Sequence, residues 1–177
     1  MKPKDFLFES TGRSVADLNI ECKDGSFYCA HNKLTSLDGT PSHVGGHFDC
    51  SNNELASLEG APSHVSGNFN CSVNKLTSLE GAPSRVGGHF YCAHNKLASL
   101  KDVYKHVTEI KGIFYAIENP IESHVLGLLL VKGVTRVYLD NEQVAKILNR
   151  HLGKGRAGML MAQEELIDAG LEECARL

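Results

Sequence analysis

The chain has no tryptophan, 3 methionines and 5 prolines in 177 residues, and neither charge sign prevails. Lys and Arg number 18 against 21 Asp and Glu, for a formal net charge of -3. No basic field is available to follow a phosphate backbone, so nucleic acid is not an expected partner. The acidic excess is also too small for a DNA mimic. Long apolar runs are missing too. Val125 to Val131 is the most apolar stretch, far short of the about 20 residues a spanning helix needs. Met1-Lys2-Pro3-Lys4-Asp5 lacks the apolar core of a signal peptide, so a soluble, cytoplasmic chain without a membrane partner is expected. The 6 cysteines include no C-x2-4-C pair, the usual spacing of zinc ligands. There is no H-E-x-x-H, no Ser/His/Asp arrangement and no paired carboxylate. Neither an enzyme nor a bound cofactor or metal is expected.

What the chain does have is a repeat. Phe27-Tyr28-Cys29-Ala30-His31-Asn32-Lys33-Leu34 recurs as Phe48-Asp49-Cys50-Ser51-Asn52-Asn53-Glu54-Leu55. It returns as Phe69-Asn70-Cys71-Ser72-Val73-Asn74-Lys75-Leu76 and as Phe90-Tyr91-Cys92-Ala93-His94-Asn95-Lys96-Leu97. A constant step between Cys29, Cys50, Cys71 and Cys92 means one supersecondary unit stacked on copies of itself. Stacked strands lie about 4.8 Å apart, so these four thiols form a column. Free Cys packs as a compact hydrophobe, and a core column is the expected role.

Within each copy Phe48 and Cys50 flank Asp49, the alternation of a half-buried strand. Leu55 and Leu58 follow, Gly60-Ala61-Pro62 turns the chain, and Val65 begins the return. Glycine and proline there exclude a long helix on the return side. Each unit is a short strand, a turn and an extended or single-turn return. Before the repeats, Phe6, Leu7 and Phe8 precede a turn signal at Ser10-Thr11-Gly12. Val15, Leu18, Ile20 and Cys22 then alternate as a strand expected to cover the open end of the stack.

Phe-x-Cys-x-x-Asn-x-Leu-x-x-Leu resembles the leucine-rich repeat pattern, with Phe and Cys in place of two leucines. The Gly-Ala-Pro-Ser-x-Val return is similar to the short repeats of bacterial effector proteins. The wording Val-Gly-Gly-His-Phe-x-Cys resembles leucine-rich repeat proteins encoded by large tailed bacteriophages. The likeness spans residues 15 to 121 and implies an α/β solenoid of short parallel strands in about five repeats. It also implies that Asn32, Asn53, Asn74 and Asn95 form an internal ladder that satisfies backbone groups. The tail Asn-Pro-Ile-Glu-Ser-His-Val-Leu-Gly-Leu-Leu-Leu resembles that of the same phage proteins.

After Leu100 the return lengthens by three residues, and Phe114 to Ile121 forms a degenerate fifth copy with Asn119 in the ladder position. Asn119-Pro120 also reads as a helix start. A short helix through Val125, Leu126, Leu129 and Leu130, stopped near Gly133, is expected next. Val134, Val137 and Leu139 alternate like one more strand. Asp140-Asn141-Glu142-Gln143 carries a capping box for a helix burying Val144, Ile147, Leu148 and Leu152. A last helix is expected from Ala157 to Arg176, burying Leu160, Ile167 and Leu171. The organisation is a cap over residues 1–24, repeats over 25–120 and a mainly helical cap over 121–177.

Candidate binding residues come from the outward positions. If Phe and Cys point inward, the residue between them points out, giving Tyr28, Asp49, Asn70, Tyr91 and Tyr115. His47, Asn68 and His89 flank that row on one side, and His31, Asn52, Val73 and His94 on the other. His47 and His89 are about 9.6 Å apart by strand spacing, too far to share a metal. Tyr has no packing reason to recur at an exposed strand position, and it is a good interface anchor. The expected function is a protein-binding module whose strand face grips a partner. The phage resemblance implies a host protein, of a defence system for instance, inhibited by occlusion in the host cytoplasm. Two alternatives stand beside it. Gly153-Lys154-Gly155-Arg156-Ala157-Gly158 fits G-x-G-x-x-G but follows a helix, so an interhelix linker is expected. Lys154 and Arg156 there offer charge to a small anionic ligand or nucleotide. The other alternative is an oligomeric structural protein, assembled through the cap helices.

Overall fold

A computed structural model describes residues 12–20 and 22–177. Phe6, Leu7, Phe8, Ser10 and Thr11 lie outside the described residues. The outward-facing strands are β1 (Phe27–Tyr28), β3 (Phe48–Asp49), β5 (Phe69–Asn70), β7 (Phe90–Tyr91), β9 (Ile113–Tyr115) and β10 (Arg136–Tyr138). They form one parallel sheet in that order. Interleaved with them, β2 (His43–Val44), β4 (His64–Val65), β6 (Arg85–Val86) and β8 (Glu109–Ile110) form a second parallel sheet from the returns. Phe27, Phe48, Phe69, Phe90 and Phe114 stand in register across the first sheet. The chain is an α/β solenoid of about five turns closed by C-terminal helices.

The core between the sheets follows directly from the repeat. Adjacent Phe rings sit 5.0 to 5.7 Å apart, within the range of favourable aromatic pairs. Cys29, Cys50, Cys71 and Cys92 are fully buried beside them. Val44, Val65, Val86 and Ile110 close the core from the second sheet. At the turn between sheets, Gly81 has φ +81°, and a Cβ there would fall 2.7 Å from the backbone of Leu58 and Glu59. Only glycine lets the coils stack that closely.

The coil corners are held by asparagine. Asn74 Oδ1 accepts from the Leu55 N–H at 3.0 Å, and its Nδ2 donates to the carbonyls of Cys50, Cys71 and Ser72 at 3.1, 3.1 and 3.3 Å. Asn53, Asn95 and Asn119 repeat the pattern. Asn32 does not: its amide donates to Ala30 O, with no coil before it to bridge. At the other end Asp140 stands 21 residues past Asn119 and takes the N–H groups of Glu118 and Asn119 on its two oxygens. A carboxylate has no N–H to donate, so Asp140 keeps only the accepting half of the rung.

Both caps differ from expectation in part. Val15 lies in a 3₁₀ turn, Val15–Asp17, and not in a strand. Ser14 N and Oγ both donate to the Asp17 carboxylate, at 2.8 and 2.9 Å, a capping box that outweighs the loose alternation. Asn119 is spent in the ladder and caps no helix; the segment Val125–Leu130 is 3₁₀ and starts after His124 at φ 56°. β10 forms where a further strand was expected and pairs with β9. A short helix, α1 (Val103–His106), occupies the lengthened return. Asn141 caps α2 (Glu142–His151) through the Val144 N–H at 3.1 Å; Asp140 belongs to the ladder.

The last helix, α3, runs Gly155–Asp168 and ends before Gly170 at φ +72°. It buries Gly158, Ala162 and Leu166, whereas Leu160 and Ile167 are exposed and Leu171 is half-buried. At Gly158 close approach decides this: a Cβ there would sit 2.6 Å from His151 O. His151, itself buried, pairs with Glu165 at 2.7 Å across the two helices.

The Asn ladder yields a stability test. Asn74→Ala leaves the Leu55 N–H and three carbonyls without that partner in a buried corner, at a cost of about 3 kcal/mol. Asn74→Asp is expected to destabilise as well, because it removes the donors. Denaturant midpoints of both variants against the native chain check this.

Candidate functional site

The repeat brings Tyr28, Asp49, Asn70, Tyr91 and Tyr115 to one face of the first sheet, each paired in register with the next. β10 adds Tyr138 opposite Tyr115. Tyr91 and Tyr115 meet edge-on at 6.1 Å, and Tyr115 and Tyr138 lie 5.5 Å apart. His89 approaches Tyr91 edge-on at 5.8 Å, and the Arg136 guanidinium lies 5.3 Å over the Tyr138 ring. One half of the face is therefore a continuous aromatic run. Tyr138 and Arg136 were not among the expected site residues. The signal was present, since Tyr138 stands between Val137 and Leu139 in a segment that alternates like a strand.

The other half is polar and recessed. Asp49 Oδ1 accepts from Ser51 N at 2.9 Å, and Asn70 Oδ1 from Ser72 N at 3.1 Å. Both side chains curl back onto their own strand ends, as Asx turns do. Beside them opens a notch of about 220 Å³ lined by Tyr28, His47, Phe48, Asp49, Asn68, Asn70 and Tyr91. Tyr28, at its edge, is 51 % exposed.

His47 and His89 have a structural occupation that their spacing alone did not reveal. His47 Nδ1 accepts from the Asn68 N–H at 2.9 Å, and His89 Nδ1 from the Ile113 N–H at 3.0 Å. Ser26 Oγ and Asn68 Oδ1 do the same for His47 N and His89 N. This is a second ladder on the opposite edge of the strands. It leaves Nε2 as the protonated nitrogen of both neutral imidazoles. Glycine before each rung makes room for it. A Cβ on Gly67 would lie 2.6 Å from His47 Nδ1.

Lys154, on the α2–α3 connection, and Arg156, in the first turn of α3, are outside the strands of this face. Lys154 Nζ lies 3.5 Å from His151 Nδ1, and both basic side chains are exposed. The G-x-G-x-x-G run joins two helices, which is not the strand-to-helix setting of a dinucleotide loop. A broader depression of about 650 Å³ between α2 and α3 is lined by residues already engaged with each other, among them Glu142 with Lys146 and Arg150 with Glu165. Glu165 is held below its ordinary pKa by its bond to His151 and by the Arg150 charge. Among the described residues no group of three or more His, Cys, Asp or Glu side chains is placed to hold a metal, and no helix is long and apolar enough to cross a membrane. No protein-family model matches the chain, and no curated protein is significantly similar to it.

The thiols are ill suited to nucleophilic work. Burial pushes the Cys29 thiol up to about 12 and those of Cys50, Cys71 and Cys92 well above the ordinary value. Thiolate is the reactive form, so these cysteines are inert in the folded protein. Cys174 is buried and raised as well, leaving Cys22 exposed. In native buffer at pH 8 a thiol reagent is expected to modify Cys22 quickly and the other five only on unfolding. Peptide mapping of the labelled protein reads this out.

One backbone feature borders the face. The residue before each ladder Asn is left-handed: His31, Asn52, Val73, His94 and Glu118 have φ of 60, 53, 57, 52 and 55°. Val73 is the β-branched member, and it is exposed. Such a residue pays about 1–2 kcal/mol for αL backbone, and Asn tolerates it. Val73→Asn is expected to stabilise the fold by about 1 kcal/mol, raising Tm by about 2–4 °C. A thermal melt is the check.

Proposed function

We propose that this chain is a leucine-rich-repeat-type interaction module that grips a protein partner with the outward face of its first sheet. The observation that carries this is the unbroken run Tyr91, Tyr115, Tyr138 with Arg136 beside it, on side chains that hold none of the coil-to-coil ladders. Tyr and Arg are enriched among the residues that dominate protein interfaces, Tyr because it brings large area at low entropy cost and Arg because its planar guanidinium stacks and donates several hydrogen bonds. The fold needs none of these hydroxyls or ring edges at the surface. Binding by occlusion requires no nucleophile, metal or cofactor. The wording of the repeats favours a phage-encoded chain, and the partner on that reading is a host protein, of a defence system for instance, inhibited by being covered.

The test is capture from host lysate with the native chain and with Tyr115→Ala/Tyr138→Ala, after circular dichroism shows both folded. A single host protein recovered by the native chain and bound about 30-fold more weakly by the variant is expected, as for loss of a 2 kcal/mol hot spot. Equal capture by both chains removes the aromatic run as the binding surface. Recovery of a second copy of the chain alone favours self-association, for which the exposed Leu160, Met161 and Ile167 of α3 offer an apolar face.

A further inference from the structure

We propose that the notch between Tyr28 and Tyr91 is a receptor for a cationic side chain of the partner, arginine ahead of lysine. The inference rests on the reading of this face as a protein-binding surface and names the chemistry of one contact on it. Four observations converge. Asp49 supplies the carboxylate of the outward row, whose other members are Tyr28, Asn70, Tyr91, Tyr115 and Tyr138. Its Oδ1 is committed to Ser51 N, and among the described residues no Lys, Arg or His forms a salt bridge with it. Among the described residues Oδ2 is thus an unshared acceptor. The space beside it, about 220 Å³, is bounded by two tyrosine rings.

A cation placed over an aromatic face gains from the ring quadrupole, and a planar guanidinium also stacks on the ring while donating sideways to a carboxylate. Lysine offers a compact, strongly hydrated charge, which loses more water for the same contact. The face already contains the proposed contact once, in its own Arg136 over Tyr138 at 5.3 Å. Two basic residues of the cap pair within the cap, Lys146 with Glu142 and Arg150 with Glu165. A partner side chain can therefore pair with a carboxylate that has no counter-ion among the described residues.

The structure also supplies a control that leaves the fold alone. Asn70 occupies the same position one coil on, and its Oδ1 accepts from Ser72 N as Asp49 Oδ1 does from Ser51 N. Asp49→Asn should keep that bond and remove only the charge, and Asn70→Asp should add a second charge at the same floor.

The experiment is an NMR titration of the full chain with Nα-acetylarginine amide, Nα-acetyllysine amide and Nα-acetylglutamate amide at constant ionic strength. The arginine probe is expected to shift the amide signals of Tyr28, Asp49, Asn70 and Tyr91 saturably, with Kd on the order of a few mM, and lysine to bind more weakly. Asp49→Asn should weaken arginine binding about threefold, and Asn70→Asp should tighten it by a similar factor, as expected for an exposed charge pair. The absence of a saturable shift, equal affinity in Asp49→Asn, or a glutamate probe that binds as well as arginine overturns the proposal. Lysine binding as tightly as arginine overturns the preference for a guanidinium. The partner reading fails separately. If Asp49→Asn captures the partner as the native chain does while Tyr115→Ala/Tyr138→Ala loses it, the face stands and the cation notch does not.

Discussion

Everything in this fold depends on how the corners of a parallel coil are hydrogen-bonded. A parallel stack has no hairpins, so at the end of each short strand the chain turns away and leaves N–H and C=O groups inside the protein. Unpaired, each would cost about 1–3 kcal/mol. Asn53, Asn74, Asn95 and Asn119 meet that demand with one side chain per coil, accepting from the preceding coil and donating to carbonyls of both. An amide side chain is suited to it because it carries an acceptor and two donors on one planar group. Ser26, His47, Asn68 and His89 serve the opposite edge, where only an acceptor is required, so the chemistry there varies freely among hydroxyl, imidazole and amide.

With both edges satisfied by side chains, the interior can be dry. Among the described residues no buried side-chain polar atom lacks a partner. In the first four coils the space between the sheets is filled by one Phe, one small thiol and the leucines, and the fifth puts Ala116 at the thiol position. That repetition makes a column, and each coil is buried chiefly by its two neighbours. The ends therefore need different residues. At the start, Ser14 and Asp17 tie a 3₁₀ turn, and Ala16 N bonds to Asp38 O of the first coil. At the finish, Asp140 takes the place of the ladder amide and accepts the Glu118 and Asn119 N–H groups of the preceding coil on its two oxygens.

This division explains what was legible in the sequence. The constant step of Phe, Cys and Asn sets the strands, the core and the ladder, since each needs a particular residue type at a particular rung. Asp140 escaped notice because its role is the same but its residue type is not. It was read instead as part of a helix start. The roles of His47 and His89 were hidden for a similar reason, because a ladder tolerant of Ser, His and Asn shows no constant letter. On α3 Leu160 and Ile167 suggested the buried face, whereas the buried positions are Gly158, Ala162 and Leu166, with the α2 backbone close against Gly158.

The outward row is what the ladders leave free, yet it is not free of the backbone. Asp49 and Asn70 are short enough to bend onto Ser51 N and Ser72 N, and in doing so they withdraw from the surface. Tyrosine is too long and too rigid to make that local bond, so Tyr28 and Tyr91 bound the recess that Asp49 and Asn70 leave. The depth of the notch is thus a consequence of two Asx turns between two aromatic rows. At the far end three tyrosines follow in succession, with neighbouring rings 5.5 to 6.1 Å apart. One rigid scaffold thereby presents two surfaces of different chemistry, set by which outward residues can satisfy their own strand ends.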